Sequence, residues 1–178
     1  MREILHVSQD DSRVSNDLSG FECKLDSDIE RFLKTMAIPF EKAHKSRTYL
    51  VVKKASAGQK ELEILAYFSV ALSSMKIQKS VSKAQMRRLN GIFADDEVPC
   101  YLIGQLAKND PYCEEINGKE LIEYAMSIFK IGHDLVGGRF VRVDCRNIAR
   151  LTDFYKQNGF RQLQMDGETG LLQFVRFI

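Results

Sequence analysis

The sequence predicts a mixed α/β fold in which a sheet has helices on both faces. Strand-like and helical segments alternate along most of the chain, and two pairs of neighbouring strand segments have the short connections of antiparallel hairpins. A chain of 178 residues is long enough to bury a hydrophobic core without metal or disulfide staples. We therefore expect a single domain over residues 1–178.

The first half of the chain predicts a strand, a helix and a hairpin. Residues 2–7 are apolar enough for a short strand, and Ser27 followed by Glu30 has the spacing of a capping box that opens a helix. Pro39 predicts the point where that helix stops or kinks. Residues 48–53 and 62–73 predict an antiparallel hairpin around Gly58, and the second strand, apolar on both faces, is expected to be central.

The second half predicts three helices and four strands. A helix over 82–93 precedes a strand over 98–108, a loop over 109–118 and a long helix with an apolar stripe over 121–129. A strand over 140–145 leads into a helix that ends at Asn158-Gly159, a pair suited to the left-handed residue after a helix. Segments 160–165 and 171–177 predict a closing hairpin around Asp166-Gly167.

Composition excludes several classes of protein. The longest near-apolar stretch, 64–72, is too short for a membrane span, and the first residues lack a signal peptide, so we expect a cytoplasmic protein. The 4 cysteines and 3 histidines are scattered, which predicts no metal site and no disulfide framework. We expect Cys23, Cys100 and Cys145 to be small buried side chains. The net charge of +2 gives no general nucleic-acid signal.

Two local features could bind anions. Asn117-Gly118-Lys119 opens the long helix, where free backbone amides, the helix dipole and a lysine favour negative charge, although a plain helix cap is the alternative. Segment 76–88 contains five basic residues and no acidic one: Lys76, Lys79, Lys83, Arg87 and Arg88. This segment is either a solvated helix face or a surface for RNA or another acidic partner.

Three motifs carry a resemblance to a known family. A helix with Phe154-Tyr155, followed three residues later by Gly159-Phe160, resembles the C-terminal signature of the GNAT superfamily of N-acetyltransferases. The turn Phe21-Glu-Cys23 before a helix resembles the start of its toxin-like and phage-type branch, and segment 101–107 resembles its central splayed strand. The chain is accordingly identified as similar to this superfamily. The resemblance implies the GNAT fold, a mixed, mostly antiparallel sheet that splays near residues 104–107 and is flanked by helices.

The resemblance implies transfer of an acetyl group from acetyl-CoA to an amine, with no metal. Tyr155 would be the general acid for the leaving thiolate, unless it is only a core aromatic. The implied cofactor-binding residues lie at the end of the central strand, in the following loop and before the last helix: Leu106, Ala107, Lys108, Cys113, Glu114, Asn117, Gly118, Lys119 and Asn147. Asn147 is alternatively a helix N-cap. No general base is assigned, since the acidic run 95–97 fits a solvated loop.

The loop departs from the usual pyrophosphate pattern, and this leaves other functions open. Cys113 stands at the basic or amide position and Ile116 at the first glycine, while Glu114 and Glu115 would repel a pyrophosphate unless they point outward. One alternative is an inactive GNAT-fold module that binds CoA or a protein. A second is toxin-type acetylation of aminoacyl-tRNA. The apolar end 171–178 could also pair in a homodimer or pack internally.

Overall fold

A computed structural model describes residues 2–7, 17–53, 62–91 and 96–178. It contains a seven-stranded sheet in the order β1-β2-β3-β4-β5-β7-β6. The strands are β1 (Arg2–His6), β2 (Arg47–Lys53), β3 (Ile64–Lys76), β4 (Glu97–Lys108), β5 (Phe140–Cys145), β6 (Arg161–Met165) and β7 (Leu172–Phe177). Strands β4 and β5 are parallel, whereas β1–β2, β2–β3, β5–β7 and β6–β7 are antiparallel. This mixed, mostly antiparallel sheet confirms the predicted fold class.

Helices connect these strands. They are α1 (Ser27–Arg31), α2 (Ala37–Lys42), α3 (Lys83–Asn90), α4 (Gly118–Val136) and α5 (Ala149–Gln157). A π-helical turn, Phe32–Met36, joins α1 to α2, and a short 3₁₀ turn, Asp110–Tyr112, follows β4. No helix in these described ranges is both long and apolar enough to cross a membrane.

The first helical region differs from the prediction at both ends. Asp26 is the N-cap and accepts from the amides of Asp28 and Ile29, while Glu30 accepts from the amide of Cys23, so the predicted pairing of Ser27 with Glu30 is wrong. Asp26 has the extended backbone of an N-cap (φ −152°, ψ 97°), whereas Ser27 is already the first residue of the helix. Pro39 does not end the helix, because it lies in the first turn of α2, where its missing N–H is tolerated.

Several sequence predictions about the strands are confirmed. Strands β2 and β3 form the expected antiparallel pair, and residues 64–70 of β3 are buried throughout, as a central strand requires. Gly159 has φ 81° after α5, so it is the predicted left-handed residue. The predicted turn at Gly58 and the predicted helix end at Ile92 and Phe93 lie outside the described residues.

Residue contacts divide the chain into two compact units, so the single domain remains a prediction. The first comprises Met1–Ala71 and Gly104–Ala125, and the second comprises Leu72–Ile103 and Met126–Ile178. In the first unit, Phe21, Leu33, Leu50 and Tyr67 belong to one buried apolar cluster, which includes the Phe-x-Cys turn. In the second unit, the cluster contains Met75, Ile77, Leu89, Val98, Cys100, Phe140 and Val175. Each unit therefore has its own core.

Two details of the sheet bear on function. The register between β4 and β5 runs only from Tyr101–Val141 to Ile103–Val143, which places the predicted splay at the following residues. Strand β7 lies between β5 and β6 and is hydrogen-bonded to both. The C-terminal segment therefore packs internally, and β6 rather than β7 is the sheet edge that a second copy could extend.

Candidate active site

The loop after β4 is fixed by a buried asparagine. Asn109 is only 3% exposed, and its side chain donates to the carbonyl of Ile64 at 2.7 Å and accepts from the amide of Glu22 at 2.9 Å. Asp110 accepts from the amide of Lys24 at 2.8 Å. These bonds hold the loop against β3 and the Phe-x-Cys turn, so the motif at Phe21 supports the loop rather than forming part of a separate site.

A surface pocket of about 270 Å³ lies at this loop within the first unit. Its lining residues are Arg2, Lys108, Cys113, Glu114, Glu115, Ile116, Asn117 and Glu120. Four of the predicted cofactor residues, Lys108, Cys113, Glu114 and Asn117, are therefore brought together at one opening. The pocket is polar and carries both signs of charge.

The start of α4 keeps two backbone amides available. Asn117 accepts from the amide of Glu120 at 2.9 Å, and the Glu120 carboxylate accepts from the amide of Asn117 at 3.1 Å, which is a reciprocal capping box. The amides of Gly118 and Lys119 have no hydrogen-bond partner in the part of the chain that the structure describes. The positive end of the helix dipole and these two donors together favour an anion.

Cations compensate the carboxylates of the loop. Lys53 binds Glu115 at 2.8 Å and Glu63 at 3.2 Å, and the hydrogen bonds that it donates to these carboxylates raise the pKa of Lys53, so it stays charged. Arg2 pairs with Glu120. The Glu115 carboxylate is thus neutralised by Lys53, whereas Glu114 is exposed beside Cys113, with Oε1 3.7 Å from Sγ. Only Glu114 retains the repulsion predicted for a bound pyrophosphate.

The remaining cofactor predictions near β4 have structural roles in the present geometry. Lys108 donates from Nζ to the carbonyl of Cys113 at 2.6 Å and so closes the loop on itself. Ala107 is buried in the first core, and Leu106 is half-buried in the same strand. Neither Leu106 nor Ala107 lines the pocket, so only their main-chain groups remain as candidates for ligand contacts.

Tyr155 lies in an aromatic cluster of the second unit. Its ring contacts Phe154, Phe160 and Phe174, with ring centroids 5.2, 5.7 and 6.0 Å away. Burial raises the pKa of Tyr155 above its ordinary value, and the neighbouring Cys145 and Asp144 raise it further. Among the described residues, no hydrogen bond to its hydroxyl is present. The phenol therefore stays protonated and keeps its proton available for donation.

Comparison with solved structures establishes the fold. No family model and no curated protein matches the sequence. The structure described as "AtaT complexed with acetyl-methionyl-tRNAfMet" matches with a TM-score of 0.76 at 21% identity, covering 98% of this chain and 94% of that one. A tyrosine-to-phenylalanine mutant of KacT matches with a TM-score of 0.75 at 20% identity, covering 98% and 94%.

A third match extends the same comparison. A tyrosine-to-phenylalanine mutant of the AtaT toxin, bound to the C-terminus of the antitoxin AtaR and acetyl-CoA, has a TM-score of 0.71 at 20% identity, covering 98% of this chain and 92% of that one. This chain has the GNAT fold. The resemblance carried by the three sequence motifs is confirmed at the level of the fold.

Asn147 is not the helix cap that was the alternative to a cofactor role. Helix α5 of this GNAT fold has Ile148 at its N-cap position, with no side-chain cap, because the backbone turns there through a bond from the Ile148 amide to the Arg146 carbonyl. Asn147 is exposed, and it does not belong to the unit that contains the pocket. Its proposed contact with the cofactor stays a prediction.

The basic segment of the second unit is only partly helical. Lys79 lies in a turn, and α3 begins at Lys83 after a capping box of Ser82 and Gln85, so the expected three-residue helical stripe is reduced to Lys83 and Arg87. Arg88 lies over the ring of Phe177, 4.5 Å from its centroid. Lys76, Lys79, Lys83, Arg87 and Arg88 are all exposed. A cationic surface is therefore present, but not as one helix face.

The cysteines follow the sequence prediction. Cys23, Cys100 and Cys145 are buried, and burial raises the pKa of all three thiols, to about 11 for Cys100. Cys113 is half-buried at the pocket. Within the described ranges, no group of three or more His, Cys, Asp or Glu side chains is arranged to hold a metal ion.

Sequence reasoning missed three residues of the pocket region. Glu120 was detectable, because Asn117 and Glu120 have capping-box spacing. Arg2 and Lys53 were not, since they approach the loop from β1 and β2 and no local pattern connects them to Glu120 and Glu115.

Proposed function

We propose that the protein is an acetyl-CoA-dependent N-acetyltransferase that acetylates the amino group of an aminoacyl-tRNA. The observation that carries this proposal is the near-complete match to AtaT in a complex with acetyl-methionyl-tRNAfMet. In this proposal the chain 1–178 acts as a single catalytic domain in the cytoplasm. The acetyl-transfer reaction and the identity of its acceptor can be tested separately, because other amines undergo the same chemistry.

The loop at α4 would bind the pyrophosphate of acetyl-CoA. The free amides of Gly118 and Lys119 supply donors, and the helix dipole and Lys119 supply positive charge. These donors belong to the main chain, so the substitutions at the loop positions of Cys113 and Ile116 do not remove them. Lys108 and Asn117 would hold the loop in shape, while main-chain groups from Leu106 to Lys108 would contact the pantetheine arm and the thioester oxygen.

Tyr155 would act as the general acid. When the acceptor nitrogen attacks the thioester carbonyl, the carbon–sulfur bond breaks and the CoA thiolate needs a proton. A phenol packed among aromatic rings, with a raised pKa, remains neutral and carries that proton. The AtaT and KacT mutants in which a tyrosine is replaced with phenylalanine support a functional tyrosine in toxins of this fold.

The cationic surface around α3 would contact the tRNA phosphates. Replacing Lys79, Lys83 and Arg87 with glutamine should raise KM for aminoacyl-tRNA and reduce the log–log salt slope by about 2–3, since each phosphate contact contributes about 0.7–0.9. A small amine acceptor should be unaffected. The control removes three exposed charges elsewhere, Lys42→Gln, Lys130→Gln and Arg161→Gln. An unchanged salt slope would contradict tRNA binding by this surface.

The test of function uses radiolabelled acetyl-CoA and three kinds of acceptor. These are aminoacyl-tRNA, uncharged tRNA and a panel of small amines. We expect label in aminoacyl-tRNA alone, released as an N-acetylamino acid after alkaline hydrolysis of the ester. Label in a small amine instead would support the proposed acetyltransferase activity but contradict aminoacyl-tRNA as its acceptor. No transfer to any acceptor would contradict the proposed activity itself.

A second candidate is a GNAT-fold module that binds CoA or a protein without turnover. The loop favours it, because Cys113 and Ile116 replace the usual residues and Glu114, which pairs with no cation in the described ranges, adds negative charge at the pocket. Structures of similar toxins include one bound to an antitoxin, which supports a protein partner for this chain as well. Binding of acetyl-CoA without transfer in the assay above would select this module.

A further inference from the structure

An ion pair on β5 is left incompletely bonded inside the second unit. Asp144 Oδ1 and Arg142 Nε lie 3.2 Å apart, and their side chains are only 25% and 12% exposed. Both atoms are buried, and neither makes a hydrogen bond to any of the described residues. The guanidinium instead uses Nη1 to donate to the carbonyl of Ser74 at 2.8 Å. Arg142 is thus held by the Ser74 carbonyl, and Asp144 Oδ1 keeps a lone pair that accepts no hydrogen bond from the described residues.

Asp144 occupies a special place along β5. The register with β4 ends at Val143, and Asp144 is the next residue, where β5 continues without that partner. Its antiparallel pairing continues on the other side, opposite Gln173 of β7. The carboxylate is therefore carried by a strand held rigidly on one edge at the point where its other edge becomes free.

Tyr155 and Asp144 lie on opposite faces of the sheet. Val143 pairs with Phe174, whose ring contacts Tyr155, so Val143, Phe174 and Tyr155 share one face. Consecutive strand residues point to opposite faces, which places Asp144 and its partner Gln173 on the other. A candidate proton donor for the CoA sulfur thus lies on one face of β5, and a carboxylate suited to an attacking amine lies on the other.

We propose that Asp144 binds the ammonium group of the acceptor and removes its proton. This inference rests on the proposed acetyl transfer and completes it. The carboxylate takes one proton from R–NH₃⁺, and the resulting R–NH₂ forms the new carbon–nitrogen bond as the carbon–sulfur bond breaks. Tyr155 gives its proton to the CoA sulfur and recovers one from the amide nitrogen through solvent, so the products are R–NH–acetyl and CoA–SH.

The surroundings set the protonation of Asp144. Burial raises the pKa of this carboxyl, Arg142 lowers it, Asp166 raises it again and a hydrogen bond from Gln173 lowers it. The titratable and charged groups that interact electrostatically with it, from β4, β5, α5 and the β6–β7 turn, are Cys100, Arg142, Cys145, Tyr155 and Asp166. The ionised form is the base, so transfer should increase as the pH rises through this raised pKa.

A purely structural ion pair is the alternative. In that case Asp144 would only orient Arg142, which ties β5 to Ser73 and Ser74. Loss of the carboxylate would then lower the melting temperature and the activity together, at every pH. A base predicts a different result, because only the pH-dependent step is lost.

The experiment measures kcat and KM for the acceptor from pH 5 to pH 9 in wild type, Asp144→Asn, Asp144→Glu and Asp153→Asn. Asp153 is an exposed carboxylate on α5 and serves as the matched control. We expect Asp144→Asn to lower kcat/KM for the acceptor about 100-fold at neutral pH, with the Kd for acetyl-CoA unchanged. It should also abolish the acidic limb of the pH profile, which is the rise of kcat/KM with pH as the carboxyl of Asp144 ionises. Asp144→Glu should restore the limb, and Asp153→Asn should match wild type.

Each outcome decides between the proposals. If wild type is active and Asp144→Asn keeps the acidic limb, the proposed role of Asp144 is overturned and the proposed acetyl transfer stands. A loss in Asp144→Asn that is equal at every pH and accompanied by a lower melting temperature assigns the pair to structure. A wild type that transfers acetyl to no acceptor overturns both proposals.

Discussion

The loop after β4 and the surroundings of Tyr155 satisfy their polar groups in opposite ways. In the loop, side chains bind one another or the main chain, as Asn117 with Glu120 and Lys108 with Cys113 do, and this leaves main-chain amides available. Around Tyr155, three aromatic rings fix the residue and its hydroxyl is left available. In the candidate binding loop, side-chain hydrogen bonds fix the shape of the main chain. At Tyr155, apolar packing positions the candidate reacting group.

The largest expected effect tests the aromatic region. Tyr155→Phe keeps every ring contact and removes only the hydroxyl, so we expect kcat for transfer to fall about 100-fold with an unchanged Kd for acetyl-CoA. Stopped-flow detection of free CoA thiol measures the rate. Tyr49→Phe is the matched control, because Tyr49 is also held by ring contacts, with His6 and Phe68. Equal rates for wild type and Tyr155→Phe would remove Tyr155 from the chemistry.

An intermediate effect tests the support of the loop. Asn109→Ala leaves the Ile64 carbonyl and the Glu22 amide without their side-chain partner, and we expect a loss of about 2 kcal/mol in the free energy of unfolding, or about 4–8 °C in Tm. Thermal unfolding monitored by circular dichroism measures it. Asn147→Ala is the control, since that side chain is exposed and caps no helix. Equal Tm values for the two variants would show that the buried bonds do not support the loop.

The smallest expected effect tests how the charge of Glu114 changes the affinity of the pocket for acetyl-CoA. Glu114→Gln removes the loop carboxylate that no lysine or arginine among the described residues neutralises, and the Kd for acetyl-CoA should fall about two- to threefold at low ionic strength and less at high salt. Titration calorimetry at two salt concentrations measures this, with Glu168→Gln, an exposed residue of the second unit, as the control. A weaker complex would mean that Glu114 contacts the ligand favourably.

The two regions also differ in how far the sequence could predict them. The Tyr155 region was predictable because Phe154, Tyr155 and Phe160 are close in sequence and follow helical spacing up to Gly159. The loop was only partly predictable, since Arg2 and Lys53 reach it from distant strands and no local pattern pairs them with Glu120 and Glu115. The cap at Asp26 was missed because Ser27 and Asp26 both fit a helix start, and geometry alone selects between them.

Acetyl-CoA binding is the property on which both regions depend, and calorimetric titration of the wild-type protein with acetyl-CoA tests it most directly. We predict a single saturable site, together with a rise in Tm that grows with the logarithm of acetyl-CoA concentration, because the ligand binds only the folded chain. No heat and no rise in Tm at millimolar acetyl-CoA would contradict an acetyl-CoA-dependent enzyme.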